Sequence, residues 1–239
     1  GEEILLLGSG SNVVIADDGF RGTVIVIRTS GFESSADACG GAIVDVQAGQ
    51  NWDEFVQACI THNWSGLEAL SGIPGTVGAT PIQNVGAYGQ EVGNWIYRIR
   101  AYDRTDQQIK TFMPSDCGFG YRDSIFKQQL GRYVILQVSF QLRLGEHSAP
   151  VMYRELAELL NVEVGQRSKI GQVRAAVLQL RGAKGMLLAD LDHDTWSVGS
   201  FFTNPVVSAE VADRFAIGTP AWPQPDGRVK LSAAWLVEN

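Results

Sequence analysis

Cysteine, histidine and methionine are all scarce, three of each in 239 residues, and their scarcity removes several function classes at once. Cys39, Cys59 and Cys117 are an odd number with no Cys-x-x-Cys pair, so neither a disulfide framework nor a zinc spacing is indicated and a reducing cytoplasm is expected. His62, His147 and His193 stand apart from one another without partners at ligand spacing, so no metal is expected. No run of about eighteen apolar residues exists, so no transmembrane helix and no membrane partner are expected. No basic-then-apolar signal segment opens the chain. Basic residues are outnumbered: 19 Lys and Arg against 26 Asp and Glu give 19 − 26 = −7. That balance argues against nucleic acid and leaves room only for a local basic pocket facing a small anionic ligand.

With 45% hydrophobic and 9% aromatic residues, the chain can bury a real core, which excludes intrinsic disorder. Glycine is abundant, 27 residues, and its uneven placement is the first functional clue, because such segments turn tightly or approach a ligand closely. Residues 4–8 (ILLLG) and 23–28 (TVIVIR) read as buried strands, and 42–49 (AIVDVQAG) as another strand. Residues 51–63 carry Trp52, Phe55, Val56, Cys59 and Ile60 on the stripe of an amphipathic helix. The Gly-, Pro- and Thr-rich stretch 65–91 predicts loop with one short helix. Residues 95–102, 108–112 and 133–144 alternate as half-buried strands, predicting a meander sheet. After the polar break at 145–150, YRELAELL and KIGQVRAAVLQLR read as helices, and LSAAWLVEN at the end is a further helical pattern. The first residues run straight into a strand and the last stop inside that helical pattern, so the chain is expected to be a fragment.

Two glycine-rich segments carry chemistry. The turn Leu7-Gly8-Ser9-Gly10-Ser11-Asn12 directly follows a strand and can present successive backbone N–H groups and hydroxyls to a pyrophosphate, or serve as a plain inter-strand turn. It is not a GxGxxG fingerprint. In Ser71-Gly72-Ile73-Pro74-Gly75-Thr76-Val77-Gly78-Ala79 the glycines clear one face and the proline stiffens the path, and Asn84-Val85-Gly86-Ala87-Tyr88-Gly89 continues the theme. Two such loops without a Walker lysine suit a long dinucleotide held by main chain, with flavin adenine dinucleotide (FAD) the natural candidate.

The strings LLGSGSNVVIADDGFRGTVI, LSGIPGTVGATPIQNVGAYGQE, GYRDSIFK and WSVGSFFTNPVV, in this order, resemble the UDP-N-acetylenolpyruvoylglucosamine reductase family, also called UDP-N-acetylmuramate dehydrogenases, over nearly the whole chain. GSGSN and SGIPG recur in related flavin oxidases, whereas GYRDS followed by GSFFTNP is particular to these reductases. The resemblance implies an α+β fold: an FAD-binding PCMH-type (vanillyl-alcohol-oxidase-like) domain at 1–145, a connecting helical segment at 146–185 and a truncated α+β substrate-binding domain at 186–239. It implies non-covalent FAD held by Gly8, Ser9, Gly10, Ser11 and Asn12 and by Ser71, Gly72, Ile73, Pro74, Gly75, Thr76, Gly78, Ala79, Asn84 and Gly86. NADPH would reduce the flavin, which would then reduce the enolpyruvyl group of UDP-N-acetylenolpyruvoylglucosamine to UDP-N-acetylmuramate for peptidoglycan synthesis in a bacterial cytoplasm. A monomer is expected.

Within that resemblance Arg122 matches the family's catalytic arginine, a permanently charged fork suited to a carboxylate. Ser200 matches its proton donor. Tyr121 and the mobile-loop tyrosine of the type I branch, Tyr153, match substrate contacts, as do Lys184 and Lys230 near the diphosphate and Asn204 in Phe202-Thr203-Asn204-Pro205. The plain alternatives are a surface ion pair for Arg122, a turn serine, helix-start packing for Tyr153, solvated lysines and a pre-proline turn. The family's N-terminal Gly-Gly-Pro strand segment and its C-terminal acid-base glutamate have no counterpart in these residues, so this polypeptide alone is expected to bind flavin poorly and turn over little. The competing functions are another FAD oxidase or dehydrogenase of the same fold and an inactive nucleotide-binding module.

Overall fold

A computed structural model describes residues 2–37, 39–196, 201–215 and 218–238. The chain divides into two compact units, Gly1–Trp196 and Ser197–Asn239. In the first, β1 (Ile4–Leu7) and β2 (Thr23–Val26) form a parallel pair with Leu7 opposite Val26; they are not the buried strands expected, because the pair is a separate two-stranded sheet in which β2 is exposed throughout and β1 at most half-buried. The main sheet is antiparallel, with β3 (Phe32–Asp37), β4 (Gly41–Gln47), β8 (Ile96–Asp103), β9 (Gln108–Phe112) and β10 (Tyr133–Leu144) in the order β3-β4-β10-β8-β9. The short β5 (Trp64–Ser65) extends the far end of β10. The expected meander is therefore interrupted: β8 and β9 are neighbours, but the twelve-residue β10 inserts between β4 and β8. Alternation in a sequence gives the faces of a strand, not its neighbours, so this crossover had no local signal.

The α-helix α1 (Trp52–Thr61) closes one face of the sheet. Asn51 caps it by accepting the Glu54 N–H at 3.0 Å, and the fully buried Trp52, Phe55 and Val56 face Val44, Val46 and Phe140 of the sheet. The Phe55 and Phe140 rings lie 5.3 Å apart and the Trp52 and Phe140 rings 6.1 Å. β3 escaped notice because it is an edge strand whose residues after Phe32 are all exposed, so no apolar pattern marks it.

The stretch expected as loop with one helix contains the 3₁₀ turns Glu68–Leu70 and Val77–Ala79 and the tiny hairpin of β6 (Gly86–Ala87) and β7 (Gln90–Glu91), followed by a third 3₁₀ turn at Val92–Asn94. The four-residue helix α2 (Ile125–Gln128) precedes β10, with Ser124 as its cap. Helices α3 (Arg154–Leu160) and α4 (Ile170–Ala183) bury Leu156, Ala157, Val173 and Val177 in a second small core. Their segment belongs to the first unit: Ala149 donates its N–H to the buried Glu68 carboxylate at 2.9 Å, and α4 packs on the Glu68–Leu70 turn. The second unit is a three-stranded sheet, β11 (Val206–Val207), β13 (Val229–Leu231) and β12 (Ala221–Pro223) in that order, with the helices α5 (Ala209–Ala212) and α6 (Ala233–Glu238). Among the described residues no helix is long and apolar enough to cross a membrane, and no cluster of His, Cys, Asp or Glu could hold a metal.

Trp52 joins core and loop, because its indole N–H donates to the Leu70 carbonyl at 2.9 Å immediately before Ser71. Trp52→Ala is expected to destabilise the chain by about 3–5 kcal/mol, read from urea denaturation. A loss under about 1 kcal/mol would show that Trp52 is not part of the cooperative core.

Candidate functional site

Strand β1 delivers the chain into the turn Gly8–Asn12. Gly10 sits at φ +79°, a conformation that favours glycine, and residues 9–19 are exposed. Among the described residues the N–H groups of Ser9, Gly10, Ser11 and Asn12 donate to no protein acceptor. The turn lies against the second glycine loop: Ser11 Oγ donates to the Pro74 carbonyl at 3.3 Å, and a Cβ on Gly8 would stand 2.6 Å from Thr76 Oγ1.

That second loop is pinned at both ends and bare in the middle. Ser71 is buried and its hydroxyl donates to the Glu68 carbonyl at 2.7 Å. Gly72, at φ +70°, donates its N–H to Asp53 Oδ1 at 2.6 Å, and its carbonyl accepts from Arg181 Nε at 3.2 Å. At the other end Trp52 N–H donates to the Gly75 carbonyl at 3.1 Å, Val77 N–H to Gln50 at 2.9 Å and Gly78 N–H to Ala48 at 2.7 Å. A Cβ on Gly78 would press to 2.6 Å from that of Ala48. Between these anchors Ile73, Gly75 and Thr76 keep N–H groups with no protein acceptor among the described residues. Beside them runs a narrow cleft of about 70 Å³ lined by Leu7, Gly8, Ile27, Thr76, Ile82 and Tyr133 among others. Unpaired N–H donors on two adjoining loops fit the pyrophosphate of a bridged dinucleotide.

Burial pushes the Asp53 carboxyl upward, but the Arg174 guanidinium and the Gly72 N–H outweigh it and hold the group below the usual carboxylate range. Arg174 grips both Asp53 oxygens, at 2.6 and 2.8 Å. None of Asp53, Arg174 and Arg181 was singled out from the sequence. The only trace there is the seven-residue spacing of the two arginines on one helix face, which looks like any solvated stripe.

Asn84, expected to touch the cofactor, has its side chain committed to the protein. It is buried at φ +44°, its Nδ2 donates to Glu91 at 2.8 Å and to the Gly120 carbonyl at 2.9 Å, and its Oδ1 accepts the Gly93 N–H at 2.9 Å. It ties the 84–93 hairpin to the segment that carries Arg122. Ser124 does the same from the other side by donating to the Ile82 carbonyl at 2.5 Å. Arg122 itself has φ +55°. Its guanidinium donates to the carbonyls of Gly86 (2.5 Å) and Asn84 (3.3 Å) and lies over the Tyr121 ring at 5.3 Å. Its partners are main-chain oxygens, and no carboxylate neutralises it among the described residues. The surface ion pair considered as an alternative is thus not what this arginine makes.

Tyr153 stands at the start of α3, partly exposed, with its ring edge-to-face on Tyr88 at 5.4 Å. Lys184 closes α4 and pairs with Glu155 at 2.8 Å, which raises its pKa. Burial likewise pushes the Tyr88 phenol upward, against the pull of Arg181 and Lys184. The fold thus gathers Tyr88, Tyr153 and Lys184 from three parts of the sequence. In the second unit Asn204 Oδ1 accepts the Ala233 N–H at 2.9 Å, and Lys230 Nζ lies 5.8 Å from the Trp222 ring. Ser200 lies outside the described residues.

A family model described as an FAD binding domain matches residues 1–111. The whole chain is 55% identical to the UDP-N-acetylenolpyruvoylglucosamine reductase of Cutibacterium acnes, covering 63% of that protein. It is 51% identical to that of Salinispora arenicola (67% covered) and 47% identical to that of Thermobifida fusca (70% covered), again over the whole of this chain. The chain thus spans about two thirds of the length of these relatives. Among solved structures, a UDP-N-acetylenolpyruvylglucosamine reductase from Thermus caldophilus aligns with a TM-score of 0.58 over 97% of this chain and 75% of that one, at 23% identity, a likeness of fold. At such identities over its full length, the chain belongs to the UDP-N-acetylenolpyruvoylglucosamine reductase family.

Proposed function

We propose that this chain carries the flavin site of an NADPH-dependent reductase that converts the enolpyruvyl group of UDP-N-acetylenolpyruvoylglucosamine to the lactyl group of UDP-N-acetylmuramate, in peptidoglycan precursor synthesis in a bacterial cytoplasm. The observation that carries this reading is the un-neutralised Arg122 guanidinium, fixed to the carbonyls of Asn84 and Gly86 on the same stretch of chain that supplies the unpaired N–H groups. Bound FAD would supply hydride chemistry, taking hydride from NADPH and passing it to the substrate. The N–H groups of Ser9–Asn12 and of Ile73, Gly75 and Thr76 hold the anionic part of such a ligand without spending a lysine on it.

Hydride arriving at the vinyl terminus leaves an electron pair on the adjacent carbon, delocalised into its carboxylate. Arg122 opposes that charge, and two of its donors already rest on carbonyls, so its orientation is set before substrate arrives. The Ser200 hydroxyl gives its proton to that carbon as the charge develops, completing the addition of hydride and proton across the double bond. Lys184, with Tyr153 beside it, faces the diphosphate portion, exchanging its Glu155 partner for phosphate oxygens. Lys230 and Asn204 are further substrate contacts on the family resemblance alone.

An anaerobic stopped-flow trace of the flavin absorbance of the protein at the full length of its relatives tests this in two steps. NADPH is expected to bleach the flavin and the UDP-sugar to restore it. Ser200→Ala should leave bleaching intact and slow recovery by roughly 10² to 10⁴, the range for losing a positioned acid. Arg122→Lys should also slow recovery selectively, because a point charge cannot reproduce the fork. Equal loss in both steps would reject the Ser200 assignment, and unchanged recovery in the lysine variant would place Arg122 outside the site.

A further inference from the structure

Both backbone polar atoms of Gly72, which belong to successive peptide groups, are held by charged side chains from two different helices. Its N–H donates to Asp53 of α1 at 2.6 Å, and its carbonyl accepts from Arg181 of α4 at 3.2 Å. Arg174, one face along α4, locks the Asp53 carboxylate with two bonds of 2.6 and 2.8 Å and is itself largely buried, with 12% of its side chain exposed. Arg181 is anchored again by donating to the Met186 carbonyl at 3.1 Å, while Leu178 and Leu187 wall the position a Gly72 side chain would take. One carboxylate against two guanidinium groups leaves one positive charge over, a single residue from the first unpaired N–H group of the loop, that of Ile73.

We propose that Arg174 and Arg181, acting through Asp53 and Gly72, are positioning residues for the flavin, so that helix α4 is an integral part of a cofactor site whose recognised domain match ends at residue 111. The proposal rests on the flavin reading above and adds residues to it. A loop whose central N–H groups are reserved for a ligand cannot brace itself with them; among the described residues its main-chain support comes from Gly75 to Gly78 at the far end and from the Ser71 N–H to Glu68 at the near end. The near end is also braced by charge. The bidentate Arg174–Asp53 pair holds the 71–72 peptide through the Gly72 N–H, and the Arg181 bond to the Gly72 carbonyl sets the 72–73 peptide plane, whose trans geometry turns the Ile73 N–H to the side away from Arg181.

The test uses the protein at the full length of its relatives and three readouts: FAD affinity from quenching of flavin fluorescence, the melting temperature without FAD, and hydrogen exchange at the Gly72 amide. Arg181→Met is expected to weaken FAD binding by about ten- to a hundredfold, the scale of one lost charge-assisted hydrogen bond, with a melting temperature close to that of the unsubstituted chain, and Arg174→Met to weaken it similarly while also lowering the melting temperature, because it strands the Asp53 carboxylate. Arg174→Lys should recover part of the affinity. The isosteric Asp53→Asn, which keeps the acceptor for Gly72 but not the charge, should weaken binding and speed Gly72 exchange. Unchanged affinity in both methionine variants, with normal binding by the unsubstituted chain, overturns the proposal and leaves the flavin reading standing. Affinity that falls only in step with melting temperature, with no recovery by lysine, overturns it in favour of a purely structural helix contact. No FAD binding by the unsubstituted chain overturns the flavin reading and this proposal together, even though the exchange data would still report on the clamp.

Discussion

A backbone N–H reserved for a ligand is unavailable for holding the protein together, and the arrangement of the first unit follows from that constraint. The Gly8–Asn12 turn and the centre of the 71–79 loop carry no internal ladder, so their geometry is imposed from outside. Helix α1 does most of this. Its inner face packs on the sheet through Trp52 and Phe55, while its first turn reaches the loop three ways: Trp52 N–H to Gly75, Trp52 Nε1 to Leu70 and Asp53 to Gly72. Core packing and site geometry are therefore one problem here, and the β4–α1 connection at Ala48 and Gln50 is where the sheet itself touches the loop.

A second consequence is backbone strain where the site is densest. Asn84, Tyr88 and Arg122 all have positive φ, at 44°, 49° and 55°. Asparagine tolerates this region; tyrosine and arginine do so only when their surroundings over-determine them. For Arg122 the surroundings are visible: its guanidinium is bound to Asn84 and Gly86, its own carbonyl accepts from Lys127 Nζ at 2.8 Å, and Ser124 anchors the next turn. An arginine committed in this way is presented to a ligand with little freedom left to lose on binding.

Much of this was legible in the residues. The amphipathic stripe of α1, the alternation of β4, β8 and β10 and the helix pair α3 and α4 follow from periodicity alone, and the glycine loops from composition. What was hidden depends on distance in the chain. The insertion of β10 between β4 and β8 pairs residues such as Gln137 and Gln47, and no local pattern encodes a partner that far away. The resemblance assigns Asn84 to the flavin, and its side-chain bonds to Glu91, Gly93 and Gly120, which no local pattern encodes, hold it against the Arg122 segment. Asp53 looked like an ordinary acidic residue in a first helical turn, and its role exists only because α4 returns more than a hundred residues later to meet it.

The central claim is that two sets of main-chain N–H groups, kept unpaired by the fold, receive the flavin dinucleotide. The most direct measurement is a ¹H–¹⁵N correlation spectrum of the labelled chain during titration with FAD. The account predicts large shifts and slowed exchange at the amides of Ser9 to Asn12, Ile73, Gly75 and Thr76, with Gly72 and Gly78, already paired to Asp53 and Ala48, changing little. Perturbations centred elsewhere, with those amides silent at saturating FAD, would contradict it.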